Sequence, residues 1–383
     1  AGKPNPASTD YMSARPNRRE EALLYATSRD GIHWQKPELG IIEFGGNRKN
    51  NIVARGPSGA GVYKDARDPN PERRYKAFYA SQVGYMQLVR FSPDGLRWGP
   101  EIRCPEIRIE SDCHANMTWS PELRKYIGIV RHYDKFPVVG NRKIARTESL
   151  DAVKWTRSTL AIEGSPQLQT HDMVIFRAGR VFLGLLGMMR YPSLKSRHGV
   201  RQHIELAWSP DSTTWHRVCP GTPLVGHTAA KEKKYGTMPC DWGAMFPSTP
   251  VILDREIRIY YGASDWYFFD WRKGGLALAT LRPDGWAGFE PVAADRPAPI
   301  TTTPLPCSGC PLRLSADVSG SGAIRVTLLD ENNKALAVSE PLTGSATDGE
   351  LKWPGGFSLA ELAGNRIRLK FELRAAKLYS FIL

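Results

Sequence analysis

The chain has 383 residues, 41% of them hydrophobic and 24% charged, an ordinary globular composition with room for one large domain and one small one. No apolar run approaches the roughly 20 residues that a bilayer-crossing helix needs, so no membrane partner is expected. The net charge of +13 favours anionic partners by its field, but the basic residues are scattered and no recognition helix, zinc-finger spacing or RNA-binding aromatic motif accompanies them. Nucleic acid is therefore not expected, and an anionic polysaccharide or a merely basic surface accounts for the charge.

The first ordered signal is a strand running into the turn Ser28-Arg29-Asp30-Gly31 and out to Trp34. The plan returns at Phe91 to Trp98, Thr147 to Trp155, Trp208 to Trp215 and, more loosely, Leu281 to Phe289. The turn aspartates Asp30, Asp94, Asp151, Asp211 and Asp284 recur at roughly sixty-residue intervals, a period that holds four short strands with their connections and predicts an all-β, five-bladed propeller. Asp or Ser caps its own backbone in such a turn, Gly supplies positive φ, and the aromatic closes the outer edge of the blade.

In chain order, residues 1–20 are polar and Pro-rich and offer no strands to pair with Leu23 to Thr27 and Ile32 to Trp34, so the first blade is incomplete. An open wheel leaves exposed strand edges. Upstream residues missing from this chain, which begins at Ala1 without Met like a trimmed product, or else another segment or a second copy of the chain, are expected to close it. The second blade spans about Asn51 to Pro100, the third Ser111 to Thr159, the fourth Leu168 to Val218 and the fifth Asp241 to Pro291, with the alternating run Glu256 to Tyr261. The propeller thus takes residues 1–297, a Pro/Thr-rich linker 298–311, and a small antiparallel β-sandwich 312–383, read from alternating runs such as Ile324 to Leu329 and Ile367 to Leu373. Among the six cysteines, Cys104 and Cys113 bracket one crossing and could bridge. Cys307-Ser308-Gly309-Cys310 lacks the second pair a structural zinc site needs, and Cys219 and Cys240 read as buried thiols.

Propeller blades begin near the axis on one face, and their second-to-third strand connections open on the same face, so residues at these points converge on one funnel. The blade openings carry Asp112 and His114, then His171 and Asp172, then Asp241 and Trp242. The connections carry Arg131 and the segment Asp265-Trp266-Tyr267-Phe268-Phe269-Asp270-Trp271-Arg272, whose aromatics suit stacking on sugars and whose acids suit hydroxyls. Glycoside hydrolysis needs one protonated carboxyl and one ionised one. Asp112, Asp172, Asp241 and Glu205, which starts a third strand between apolar neighbours, are the candidates, with burial and mutual repulsion spreading their pKa values.

These turns, together with Ser111-Asp112-Cys113-His114, Glu205-Leu206-Ala207-Trp208-Ser209-Pro210-Asp211 and Cys240-Asp241-Trp242-Gly243, resemble the five-bladed propeller glycosidases related to invertases, levanases, arabinanases and β-xylosidases, especially bacterial relatives with a C-terminal β-sandwich. The resemblance implies a secreted or periplasmic hydrolase of plant or algal poly- or oligosaccharides. That superfamily uses an aspartate of blade one as base or nucleophile, one of blade three as stabiliser and a glutamate of blade four as acid. Asp112 matches the second; the first has no counterpart, and blade four opens on Gln169, His171 and Asp172 instead of glutamate. The expected assignment is therefore Asp112 as stabiliser, Asp241 as base or nucleophile and Glu205 as acid. His114, Arg131, His171, Asp172, Trp242, Asp265, Trp266, Trp271 and Arg272 are expected to bind substrate. No cofactor is expected, a central calcium or other ion on Asp112, His114 or His171 being the alternative. A carbohydrate-binding propeller without catalysis, gripping glycan through Trp242, Trp266 and Trp271, is the competing reading.

Overall fold

The computed structural model describes residues 21–81, 86–108, 114–134, 140–231, 233–293 and 296–383. Among the described residues every regular element is a strand or a short 3-10 turn, so the chain is all-β. It divides into two compact units, one of residues 1–250 with 259–279, the other of residues 251–258 with 280–383.

The first unit opens with β1 (Ala22–Leu24) paired to β2 (Ile52–Arg55). The sequence placed Ile52–Arg55 in the second blade and Ile32–Trp34 opposite Leu23; instead the apolar stretch Ile52-Val53-Ala54 is buried against β1, and Ile32–Trp34 stays outside the strands. Next come three four-stranded antiparallel sheets. The first is β3 (Ser58–Lys64), β4 (Tyr75–Ala80), β5 (Met86–Ser92) and β6 (Ile102–Arg108); the second is β7 (Asn116–Ser120), β8 (Lys125–Asp134), β9 (Asn141–Ser149) and β10 (Thr159–Glu163); the third is β11 (Leu168–Ala178), β12 (Val181–Arg190), β13 (Arg201–Ser209) and β14 (His216–Arg217). Strands follow one another in each sheet in chain order, as short connections favour. After β15 (Met245–Pro247) and β16 (Val251–Ile252), β17 (Ile257–Ser264) pairs with β15 through residues 261–263 and also with β18 (Gly274–Leu281).

First strands of successive sheets touch. Ala60 of β3 bridges Ala115 in parallel fashion, and Asn116 of β7 donates to the Met173 carbonyl at 2.5 Å while accepting the Ile175 amide at 3.0 Å. The faces between sheets are apolar: Phe78, Val89, Met117 and Trp155 share one core, and Ile127, Ile129, Met173 and Trp215 another. Two turn aromatics thus lie inside, contrary to the expected outer edge. Trp155 stacks on Phe78 with centroids 4.8 Å apart, and the space that Trp155 and Trp215 fill is left by Gly128 and Gly184, where a Cβ would stand 2.8 and 3.2 Å from the respective indoles.

The turns follow one chemistry. Asp30 Oδ1 accepts the amides of Ile32 and His33, Asp94 those of Leu96 and Arg97, Asp151 those of Val153 and Lys154, and Asp211 those of Thr213 and Thr214, at 2.7 to 2.9 Å. Such bonds favour the ionised carboxylate, and all four aspartates lie below the usual carboxylate range. Asp284, the loosest copy, departs: its Oδ2 accepts the hydroxyls of Ser315 and Ser380 at 2.8 and 3.0 Å.

In the second unit β19 (Ala298–Thr301), β20 (Leu305–Pro306), β21 (Arg313–Leu329), β22 (Ala335–Val338), β23 (Ala346–Glu350) and β24 (Arg366–Ile382) form one antiparallel system around the long β21–β24 pair. The stretch expected to be a linker is therefore structured. Ala298–Thr301 and Leu305–Pro306 pair with β24, and Cys307 is buried with Leu314, Val326, Leu369 and Phe371 in the apolar core. Alternating burial along β21 and β24 fits strands with one face inward. Cys104, Cys219, Cys240, Cys307 and Cys310 are free, with Cys219 and Cys240 exposed and not buried as expected.

Candidate functional site

A cleft of about 340 Å³ runs along the first strands of the sheets. Its walls are Gly59 to Val62 of β3, His114 to Asn116 at β7, Asp172 to Val174 of β11, and Pro247 to Thr249. Asp172 is its one described carboxylate. A β-bulge aims it: Thr170 faces Met188 and Asp172 faces Gly187, so His171 is the extra residue, a device that re-aims side chains next to sites.

His171 and Asp172 are both buried. Arg131 donates to the His171 carbonyl through Nε at 3.1 Å and Nη2 at 2.8 Å, and its Nη2 lies 3.1 Å from His171 Nε2. A guanidinium only donates, so Nε2 is the acceptor and the ring proton sits on Nδ1, 3.0 Å from Asp172 Oδ1. Gln202 Nε2 donates to the same oxygen at 3.0 Å and to the Met245 carbonyl at 2.5 Å. With Oδ1 accepting twice, the acid proton belongs on Oδ2. Burial pushes the Asp172 carboxyl up to about 7, against the opposing pull of Arg131 and Gln202; burial first, then the charges of Arg131, His114, Arg142 and Arg272, hold His171 neutral. Gly187 makes room, since a Cβ there would stand 2.0 Å from Asp172 Oδ1. His114 closes the group, its ring 5.3 Å from His171 and 5.5 Å from Phe246.

The other expected acids stand elsewhere. Glu205 is fully buried, with Oε2 accepting from Arg217 at 2.9 and 2.6 Å and Oε1 from His203 Nε2 at 3.0 Å and the Gly221 amide at 3.1 Å. Burial alone would raise its pKa, but these donors outweigh it and hold the group below the usual carboxylate range. An acid kept ionised has no proton to give, so the expected role of Glu205 is corrected to a structural ion pair. Asp241 is also absent from the cleft walls; its Oδ2 accepts the hydroxyls of Thr228 at 3.0 Å and Tyr261 at 3.2 Å. Asp112, with Cys113, lies outside the described residues.

The aromatic segment packs inward. Trp242 and Trp266 are buried and stacked at 5.4 Å, joined by Tyr267 and Met238, with Arg201 at 4.2 Å over the Trp242 ring. The expectation that they grip sugar fails because their faces are spent on each other. Asp265 is buried and accepts the Lys273 amide at 2.7 Å. Trp271 and Arg272 are half-buried. Arg272 lies 5.2 Å over Phe268, which meets the His171 ring edge-on at 5.0 Å, so this end of the segment does reach the site. Sequence reasoning missed Gln202, Arg142 and Gly187. The signal for Gln202 was its place at the start of a third strand, on the side of the sheet where the second-to-third strand connection opens. Among the described residues no three His, Cys, Asp or Glu side chains gather as metal ligands, and no helix is long and apolar enough to cross a membrane.

No family model and no curated protein matches the chain. Solved structures to which it is similar include an N-acetylgalactosamine deacetylase from F. plautii in complex with blood group B trisaccharide, 15% identical over 67% of this chain and 80% of that one with a TM-score of 0.45. A fructofuranosidase from Schwanniomyces occidentalis is 11% identical over 93% and 87%, at 0.37. An exo-β-1,3-galactanase from Phanerochaete chrysosporium is 8% identical over 90% and 100%, at 0.32. Glycoside hydrolases are thus among the structures this chain is similar to.

Proposed function

We propose that the chain is a glycoside hydrolase of poly- or oligosaccharides, secreted or periplasmic, built as a five-bladed β-propeller whose first blade is represented by β1 and β2, followed by a β-sandwich. The repeated turn chemistry and the run of four-stranded sheets support the architecture. The observation that carries the activity is Asp172, a buried carboxyl on the cleft wall that is half protonated near neutral pH. Asp172 Oδ2–H gives its proton to the glycosidic oxygen as the bond to the anomeric carbon breaks, water adds its hydroxyl to that carbon, and the proton water gives up leaves Asp172 reprotonated at the end of the turnover. His171 and Gln202 hold the other oxygen and so fix which one carries the proton. Asp112, two positions before the cleft-lining His114, keeps the role its sequence position suggests, an ionised carboxylate stabilising positive charge at the anomeric centre.

Non-catalytic glycan binding through Trp242 and Trp266 is not favoured, because both rings are buried. The test is release of reducing ends from a glycan panel by the unchanged chain, by Asp172→Asn and by Asp112→Asn. Cleavage by the unchanged chain that falls in both variants is expected; full cleavage by Asp172→Asn removes the proposed acid.

A further inference from the structure

His171 is the residue that the bulge leaves out of the β11–β12 register, and a bulged residue has to satisfy its backbone away from the ladder. Its carbonyl is taken by Arg131 of β8, in the neighbouring sheet, which donates to it through Nε at 3.1 Å and Nη2 at 2.8 Å. The same Nη2 lies 3.1 Å from His171 Nε2. Phe246 and Phe268 meet the imidazole edge-on at 5.7 and 5.0 Å, so the ring is packed as well as bonded. Arg131 itself is buried and stands outside the described cleft walls.

Resting on the glycosidase reading, we propose that Arg131 is a positioning residue for the acid: by donating to His171 it fixes which ring nitrogen carries the proton, and so keeps the proton of Asp172 on Oδ2. A guanidinium nitrogen does not accept a hydrogen bond, whatever else the group contacts. His171 Nε2 is therefore the acceptor, and Nδ1–H faces Asp172 Oδ1 at 3.0 Å. Without Arg131, burial and the charges of His114, Arg142 and Arg272 still hold the ring neutral, which leaves a choice between its two nitrogens. Once the ring proton moves to Nε2, the Nδ1 lone pair faces Oδ1, and that contact survives only if the Asp172 proton moves from Oδ2 to Oδ1. The number of protons is unchanged, but the carboxyl then turns a bare oxygen to the substrate instead of a donor.

The experiment reads the His171 ring in the full chain by ¹⁵N–¹H correlation at neutral pH, with the ring assigned through its own Cβ, and kcat and KM on the best substrate of the glycan panel. The unchanged chain should show a neutral ring protonated on Nδ1. Arg131→Met, which keeps bulk and removes every donor, should move the proton to Nε2 and lower kcat about 10- to 100-fold, the usual worth of a partner that orients a histidine from behind. KM should stay nearly constant, as for an interaction that acts in the reaction and not in binding. Arg131→Lys keeps a donor and the charge but not the fork; it should retain the Nδ1–H tautomer and fall between the two in kcat. A ring protonated on Nε2, or charged, in the unchanged chain overturns the proposal, and this reading needs no variant to fold. Nδ1–H and kcat both unaltered in folded Arg131→Met, or a raised KM at constant kcat, overturn it too. Absence of hydrolysis of any glycan by the unchanged chain overturns the glycosidase reading instead, while the ring spectra still decide whether Arg131 sets the tautomer.

Discussion

Asp172 and Glu205 are buried carboxylates of the same four-stranded sheet, one on its first strand and one on its third, and their surroundings drive them apart. Glu205 meets two donor groups of Arg217, one of His203 and a backbone amide. Asp172 meets His171 and Gln202, both on one oxygen. Burial acts on each, but four donors spread over both oxygens hold Glu205 ionised, whereas two on a single oxygen leave Asp172 raised to about 7. Burial supplies the push; the donors decide whether an acid or a strut results.

The largest expected effect breaks the acid half of this pair. Asp172→Asn should lower kcat/KM by about 10²- to 10⁴-fold, the usual worth of a positioned general acid, read on the best substrate of the glycan panel. Next comes the strut: Glu205→Gln leaves half-buried Arg217 against a neutral amide and should cost about 2–3 kcal/mol in denaturant unfolding, less than for a fully buried pair. If Glu205→Gln instead abolishes turnover with unfolding unchanged, the two roles are reversed.

The pH dependence of stability sharpens the contrast. A carboxyl raised from 3.8 to about 7 in the folded state stays protonated between about pH 4 and 7, where the unfolded chain has already released its proton. Its contribution is therefore most favourable below pH 4, declines through that window and is flat above 7. Asp172→Asn should accordingly unfold at higher denaturant than the unchanged chain at pH 8, by on the order of 2–4 kcal/mol, with the gap closing toward pH 4. Glu205 has the opposite sign, its stabilisation being lost as pH falls through its lowered pKa. The smallest effect is at the turns: Asp211→Ala should cost about 1 kcal/mol, as removal of a backbone cap does, measured by thermal unfolding.

The turns were legible in the sequence because Ser-x-Asp caps amides only two and three positions away, and local chemistry needs no knowledge of the fold. The same holds for the strands around Lys125 and Leu168, whose apolar runs are buried between sheets. Glu205 was misread because its partner Arg217 comes from the neighbouring strand across a turn, although His203-Ile204-Glu205 already placed histidine and carboxylate on one face. Trp242 and Trp266 were misread because a cluster of aromatics has the same composition whether it faces sugar or itself. The supposed linker at residues 298–311 failed for a related reason: Pro and Thr suit an edge strand as well as a spacer, and Ala298–Thr301 found an edge on β24. In the sequence Asp172 was one of several carboxylates able to divide the acid/base roles and was assigned to substrate binding; the bulge at His171 and the glycine opposite it single it out as the proposed acid.

Gly61 carries one more consequence. Its amide donates to the Ala115 carbonyl at 2.7 Å, and a Cβ in its place would lie 2.5 Å from Asn116 Cβ and 2.6 Å from that carbonyl. The seam between β3 and β7 is thus riveted shut by backbone and tolerates no larger residue. Any change of bore that adapts the cleft to a bulkier guest has to come from the other lining residues, Val62, Val174 and Ser248 among them, with Gly61 the fixed jaw against which they work.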